Sequence, residues 1–129
     1  MGKTMEATMA ITFVYVRDLA GAAAFYEGVL GLTLAIDQGW SRIYRICGAA
    51  HLGLVDEARG MHRAQAGDKP VQICLRVPDA AAWHRYATAL DLPALSGLRE
   101  NAALGIRAFT FEDPEGYQIE IQTPTRPDA

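Results

Sequence analysis

The sequence predicts an α+β domain of two tandem βαβββ modules forming a concave, barrel-like mixed sheet with the helices outside. Three observations carry that reading. A strand-like run leading into an Asp-capped helix occurs twice: Ile11 precedes Asp18 by seven residues, Gln72 precedes Asp79 by seven, and Phe25 and Tyr86 fall in matching places. Short runs rich in β-branched and aromatic residues follow each helix, separated by Gly- and Asp-containing turns. The last strands flank the tight turn Asp113-Pro114-Glu115-Gly116, where Pro114 fixes its own φ and Gly116 can take a positive one. A repeat this long that occurs only twice implies two similar modules facing each other, not an extended array.

The first strand is read over Ile11 to Val16, Ile-Thr-Phe-Val-Tyr-Val. Asp18 caps the helix that follows, whose apolar residues Leu19, Ala22, Ala23, Tyr26, Val29 and Leu30 recur at helical spacing until Gly31 stops it. Strands over Leu32 to Ile36, Trp40 to Cys47 and His51 to Val55 complete the first module. Asp56 to Lys69 is polar and irregular and reads as a linker long enough to double as a flap over a site. The pattern then restarts with a strand over Val71 to Val77 and a helix over Ala80 to Leu90, with Trp83, Tyr86, Ala87 and Leu90 on one side. Ala94 to Ala102 is ambiguous, and Ile106 to Phe111 and Tyr117 to Ile121 are the closing strands. The organisation is an N-terminal arm (1–9), a single domain over 10–124 with module one about 10–56, linker 57–70 and module two about 71–124, and a tail (125–129).

The chain of 129 residues is half hydrophobic, enough for one core without disulfides. A net charge of −3 and the lack of any Lys/Arg run argue against nucleic acid as a partner. No stretch approaches the ~20 apolar residues of a membrane span, and the first residues lack the apolar core of a signal peptide, so a soluble cytoplasmic protein with no membrane partner is expected. Cys47 and Cys74 have neither zinc spacing nor a CxxC pattern and are expected to pack as small hydrophobes.

Alternation in the last strand puts Tyr117, Ile119 and Ile121 on one face and Gln118, Glu120 and Gln122 on the other. Val16-Arg17-Asp18-Leu19, then Phe25-Tyr26 and Val29-Leu30-Gly31-Leu32, together with Phe111 through Glu120, resemble the vicinal oxygen chelate superfamily of glyoxalases, bleomycin-resistance proteins and extradiol dioxygenases. The resemblance spans Ile11 to Pro124. It implies a divalent metal (Zn, Ni, Mn or Fe) held by the first and last strands of each module, a small-molecule ligand or substrate, and a homodimer. The implied ligand positions are Ile11, Gly53, Gln72 and Glu120, of which the first two cannot donate to a metal. His51, two residues before Gly53 and so on the same face, is the candidate helper. His62 is placed in the linker as a flap residue, and His84 among the solvent-facing helix residues.

If Gln72 faces the cavity, so do Cys74 and Arg76, while Ile11, Phe13 and Tyr15 line the other half. Arg76 suits a carboxylate or phosphate, and equally an ion pair with Glu120. Phe13, Trp40, Tyr44 and Phe109 are the aromatic candidates for stacking on a flat ligand. Three functions are compatible with these residues. The first is a lyase or epimerase-type enzyme with a degenerate metal site of Gln72, Glu120 and His51, in which Glu120 ligates the metal or acts as base. The second is a metal-free, antibiotic-sequestering binding protein, and the third an enzyme using Glu120 and Arg76 alone.

Overall fold

The computed structural model describes residues 5–129; the arm expected over 1–9 lies partly outside them. The elements run β1 (Ala10–Val16), α1 (Leu19–Gly28), β2 (Thr33–Asp37), β3 (Ser41–Cys47), β4 (Ala50–Asp56), β5 (Gln72–Arg76), α2 (Ala80–Ala89), β6 (Arg99–Asn101), β7 (Ile106–Glu112) and β8 (Gln118–Pro124). The two βαβββ modules are present, and the ambiguous stretch holds the short β6. The chain divides into two compact units, residues 1–65 and 66–129. Each forms its own four-stranded mixed sheet with the same connectivity, β1-β4-β3-β2 and β5-β8-β7-β6. In each, the first strand pairs parallel with the last, and all other neighbours are antiparallel.

Local chemistry sets the ends of the elements. The Asp18 and Asp79 side chains accept from the backbone N–H groups of Gly21 and Ala82, satisfying donors that the first helical turn leaves without partners. Gly31, at φ +70°, lets the chain leave α1, and the Leu32 N–H donates to the Tyr26 carbonyl. At the β7–β8 corner Gly116 sits at φ +88°, and the buried Asp113 carboxylate accepts from the N–H groups of Glu115 and Tyr117.

In the first unit α1 covers β3 and β4, enclosing Ala22, Ala23, Phe25 and Tyr26 with Val14, Val16, Leu52 and Leu54. Fully burying a side chain of the Leu or Phe class contributes about 1.5–3 kcal/mol. Tyr44 belongs to this covered layer and donates its hydroxyl to Glu27 Oε1 of α1 at 2.9 Å. Its pKa is pushed up from 10.0 to about 12, by burial first and then by that carboxylate. In the second unit α2 lies on β7 and β8, above Phe109, Phe111, Ile119 and Ile121.

The side of α2 that faces the sheet differs from the expected stripe: Ala80 and Ala87 are buried, whereas Tyr86 and Leu90 are exposed. His84, expected in solvent, packs edge-on against Phe109 with ring centroids 4.9 Å apart. Its Nε2 lies 3.0 Å from the Ser96 carbonyl, which can only accept, so Nε2 carries the proton. No helix among the described residues is long and apolar enough to cross a membrane.

Candidate functional site

Strand register decides which side chains share the face of each sheet that carries no helix. In the first unit the parallel pair puts Ile11 opposite His51, Phe13 opposite Gly53 and Tyr15 opposite Val55. Val14 and Val16 point to the helix side and are buried, so Ile11, Phe13 and Tyr15 occupy the helix-free side, as alternation predicts. Gly53 has no side chain, and Phe13 takes the vacated space. A Cβ at Gly53 would overlap ring atoms Cδ1 and Cε1 of Phe13 and approach Ile11 Cγ2 to 3.3 Å. Phe13 is nonetheless 46% exposed.

His51 is buried, and its Nδ1 lies 3.0 Å from the Ala49 carbonyl. That carbonyl fixes the proton on Nδ1 and leaves Nε2 as the ring's lone-pair nitrogen. Its register partners, Ile11 and Arg45, are not metal donors. Tyr15 is covered from the linker. The His62 ring meets it edge-on at 5.2 Å, and a Cβ at Gly60 would come within 2.6 Å of both Tyr15 and Val55. The linker start thus closes one end of this face.

In the second unit the equivalent ladder is polar. Gln72 stands opposite Gln118, Cys74 opposite Glu120 and Arg76 opposite Gln122. Gln72 Nε2 donates to Gln118 Oε1 at 2.7 Å. Glu120 Oε2 accepts from Gln122 Nε2 at 2.7 Å and from Cys74 Sγ at 3.4 Å. Arg76 donates to Gln122 Oε1 through Nε at 3.0 Å and Nη2 at 2.7 Å. Arginine can only donate and a carboxylate only accept, so the Gln122 amide between them has one possible orientation. Arg76 is therefore joined to Glu120 through Gln122, and the direct ion pair allowed by the sequence does not form.

The Cys74 pKa is pushed up from 9.0 to about 11, first by partial desolvation and then by its hydrogen bond to Glu120, with Arg76 acting in the opposite direction. The raised pKa favours the protonated thiol, the form that donates to Glu120. Beyond Gln118, a hollow of about 350 Å³ is lined by Asp68, Lys69, Glu112 and Gly116 among others.

Two of the aromatic candidates lie elsewhere. Tyr44 and Phe109 are buried on the helix-covered sides, Tyr44 against Glu27 and Phe109 against His84 and Phe111. Apolar residues of both parities in Ile43-Tyr44-Arg45-Ile46 hid the orientation of Tyr44. The place of Phe109 was readable, because pairing across the Asp113–Gly116 turn sets it opposite Ile121 on the core side. Trp40, in the β2–β3 turn, is 39% exposed. Gln122 was overlooked as a site residue, although it has the same parity as Glu120.

These donors do not fit a four-ligand metal centre. Ile11 and Gly53 offer no donor atom, and the Phe13 ring fills the space a ligating side chain at Gly53 would need. Among the described residues no three His, Cys, Asp or Glu side chains form a metal-binding group. The second unit supplies Glu120 and the Gln72 amide oxygen, two donors where structural and catalytic zinc sites use three or four protein ligands.

Two predictions follow from the ladders. Gly53→Ala should destabilise the protein by about 1–3 kcal/mol through overpacking against Phe13. In a Phe13→Ala background the same change should be neutral or stabilising, and thermal unfolding of the four proteins reads the reversal. In a Cys47→Ser background, iodoacetamide labelling of Cys74 should have its midpoint near pH 11 and move toward 9 in Glu120→Gln. Because the folded-state pKa is raised, the stability contributed by the protonated thiol is complete below about pH 9 and is lost as pH rises through about 11. A midpoint near 9 in the unmodified ladder would contradict the Cys74–Glu120 hydrogen bond.

Comparison with known proteins agrees with this architecture. Among solved structures, lactoylglutathione lyase from Agrobacterium tumefaciens is 25% identical, with a TM-score of 0.72 over 94% of this chain and 96% of that one. The fosfomycin resistance protein FosX from Mesorhizobium loti is 20% identical, with a TM-score of 0.68 over 97% and 98%. A glyoxalase/bleomycin resistance protein/dioxygenase from Nocardioides is 17% identical, with a TM-score of 0.74 over 97% and 88%. No curated protein matches the chain significantly. Residues 8–121 match the family description Glyoxalase/Bleomycin resistance protein/Dioxygenase superfamily, and the chain belongs to that superfamily.

Proposed function

We propose that this chain binds a small organic molecule without the divalent ion many of its relatives use, as an antibiotic-sequestering protein would. The Phe13 ring seated on Gly53 carries the reading. It lies where a side chain at position 53 would be, and as a partly exposed apolar group it would serve as a platform for a ligand in place of a metal. An aromatic face presented this way contributes about 0.5–1.5 kcal/mol when another ring stacks on it. Within the second unit, Arg76 is held in one orientation by Gln122 and is a charged donor on the helix-free face. The likeness to a fosfomycin resistance protein and the bleomycin resistance proteins of the family description support a small-molecule ligand. The working assembly in this reading is a cytoplasmic homodimer.

One observation favours a second reading, a metal-free lyase or epimerase. Both hydrogen bonds to Glu120 end on Oε2, which leaves Oε1 to take a proton from a carbon acid while Arg76 holds the substrate's anionic group. A ligand screen by thermal shift and calorimetry on chelator-treated protein separates the readings. The binding reading expects affinity unchanged by chelation, weakened about threefold to tenfold by Phe13→Ala, and retained in Glu120→Gln. Chemical conversion of the bound ligand that vanishes in Glu120→Gln would establish the enzyme. Affinity that appears only with added Zn, Ni, Mn or Fe would contradict both.

A further inference from the structure

We infer that the first unit recognises an aromatic acid through His51 and Arg45, with His51 Nε2 accepting from a hydroxyl or N–H group of the ligand and Arg45 pairing with its anionic group. This deepens the small-molecule reading above and rests on it. The helix-free face of the first unit is built in rungs. Register sets Ile11, His51 and Arg45 side by side on β1, β4 and β3, with Phe13, Gly53 and Ile43 on the next rung. Directly opposed residues of an antiparallel pair hold their Cβ atoms about 4.5–5.5 Å apart, so the imidazole and the stem of Arg45 start as neighbours. The Phe13 ring, laid over Gly53, is one rung away, about 6.6 Å along the strand.

His51 is 6% exposed, and the Ala49 carbonyl, which can only accept, holds the proton on Nδ1. Nε2 therefore presents a lone pair, and it has no hydrogen-bond partner among the described residues. Among those residues the side-chain nitrogen that is both closed to solvent and unpartnered is Arg42 Nε, so His51 Nε2 keeps an edge that an incoming donor can reach. An acceptor confined in this way distinguishes a ligand that brings a donor from one that does not. Arg45 is exposed, and its guanidinium makes no hydrogen bond or ion pair among the described residues. Of the residues paired in this sheet, none on the helix-free side is a carboxylate, which leaves the fork to an anion from outside. His62 and Gly60 cover the Tyr15 rung, so the ring, the acceptor and the cation lie together toward the opposite end of the ladder. An aromatic acid with a donor substituent matches all three, its ring against Phe13, its anion on Arg45 and its donor on Nε2.

The test titrates the chelator-treated full chain with meta-hydroxybenzoate, benzoate and neutral meta-hydroxybenzamide by calorimetry, and follows the histidine side-chain nitrogen resonances by NMR. The unmodified protein should bind meta-hydroxybenzoate about threefold to tenfold more tightly than benzoate, the discrimination that one net hydrogen bond provides. The His51 Nε2 resonance should move when the hydroxylated acid binds and stay nearly in place with benzoate, a readout on the unmodified protein that does not depend on any variant folding. His51→Phe should close the gap between the two acids, and Arg45→Met the gap between meta-hydroxybenzoate and its amide. An Nε2 resonance unmoved at saturation, a hydroxyl preference that survives His51→Phe, or an acid preference that survives Arg45→Met would overturn the proposal. Binding that requires added metal, with the same His51-dependent preference, would instead overturn the metal-independent reading and leave this one standing. Failure of all three compounds to bind, with or without metal, would overturn both.

Discussion

Parallel pairing of the first and last strands within each module is the constraint on which everything else at the site depends. Antiparallel neighbours can be joined by a short turn, whereas a parallel pair needs a crossover, and here the helix and two strands provide it. The pairing locks residues far apart in sequence into cross-strand partners: Phe13 with Gly53, Cys74 with Glu120, Arg76 with Gln122. A one-residue slip would move every one of these side chains to the helix side. The buried aliphatic and aromatic residues under α1 and α2 prevent that slip, because it would expose Val14, Val16, Ile119 and Ile121 to water.

With register held, the two modules diverge in chemistry while keeping one geometry. The same three rungs read Ile11/His51, Phe13/Gly53 and Tyr15/Val55 in the first unit, and Gln72/Gln118, Cys74/Glu120 and Arg76/Gln122 in the second. One ladder is largely apolar, with a ring laid over a bare backbone. The other is polar, with Gln72 bonded to Gln118 and a separate hydrogen-bonded row running from Cys74 through Glu120 and Gln122 to Arg76. A bare backbone at Gly53 and the Phe13 ring there belong together, since any side chain at position 53 and the ring would compete for one volume.

Much of this was legible in the sequence. Asp18 and Asp79 as caps, Gly31 as a stop, the Pro114–Gly116 corner and the parity of Glu120 all rest on short-range rules that tertiary packing reinforced. What escaped was set by contacts between distant residues. Tyr44 sits in a strand with apolar residues on both parities, so only the position of Glu27 on α1 tells which way it points. His84 looked like a surface residue until the Ser96 carbonyl and the Phe109 ring were placed beside it. The bridging place of Gln122 between Glu120 and Arg76 depends on the pairing of β5 with β8, which no local pattern announces.

In the metal-free function proposed above, the Phe13 ring on Gly53 serves as an apolar platform and not as part of a metal centre. Equilibrium dialysis of the protein against Zn²⁺, Ni²⁺, Mn²⁺ or Fe²⁺, followed by elemental analysis, tests it most directly. Far less than one equivalent of any of these ions should bind, with no difference between the unmodified protein and Glu120→Ala or Gln72→Ala. One tightly held equivalent that disappears in those two variants would contradict it.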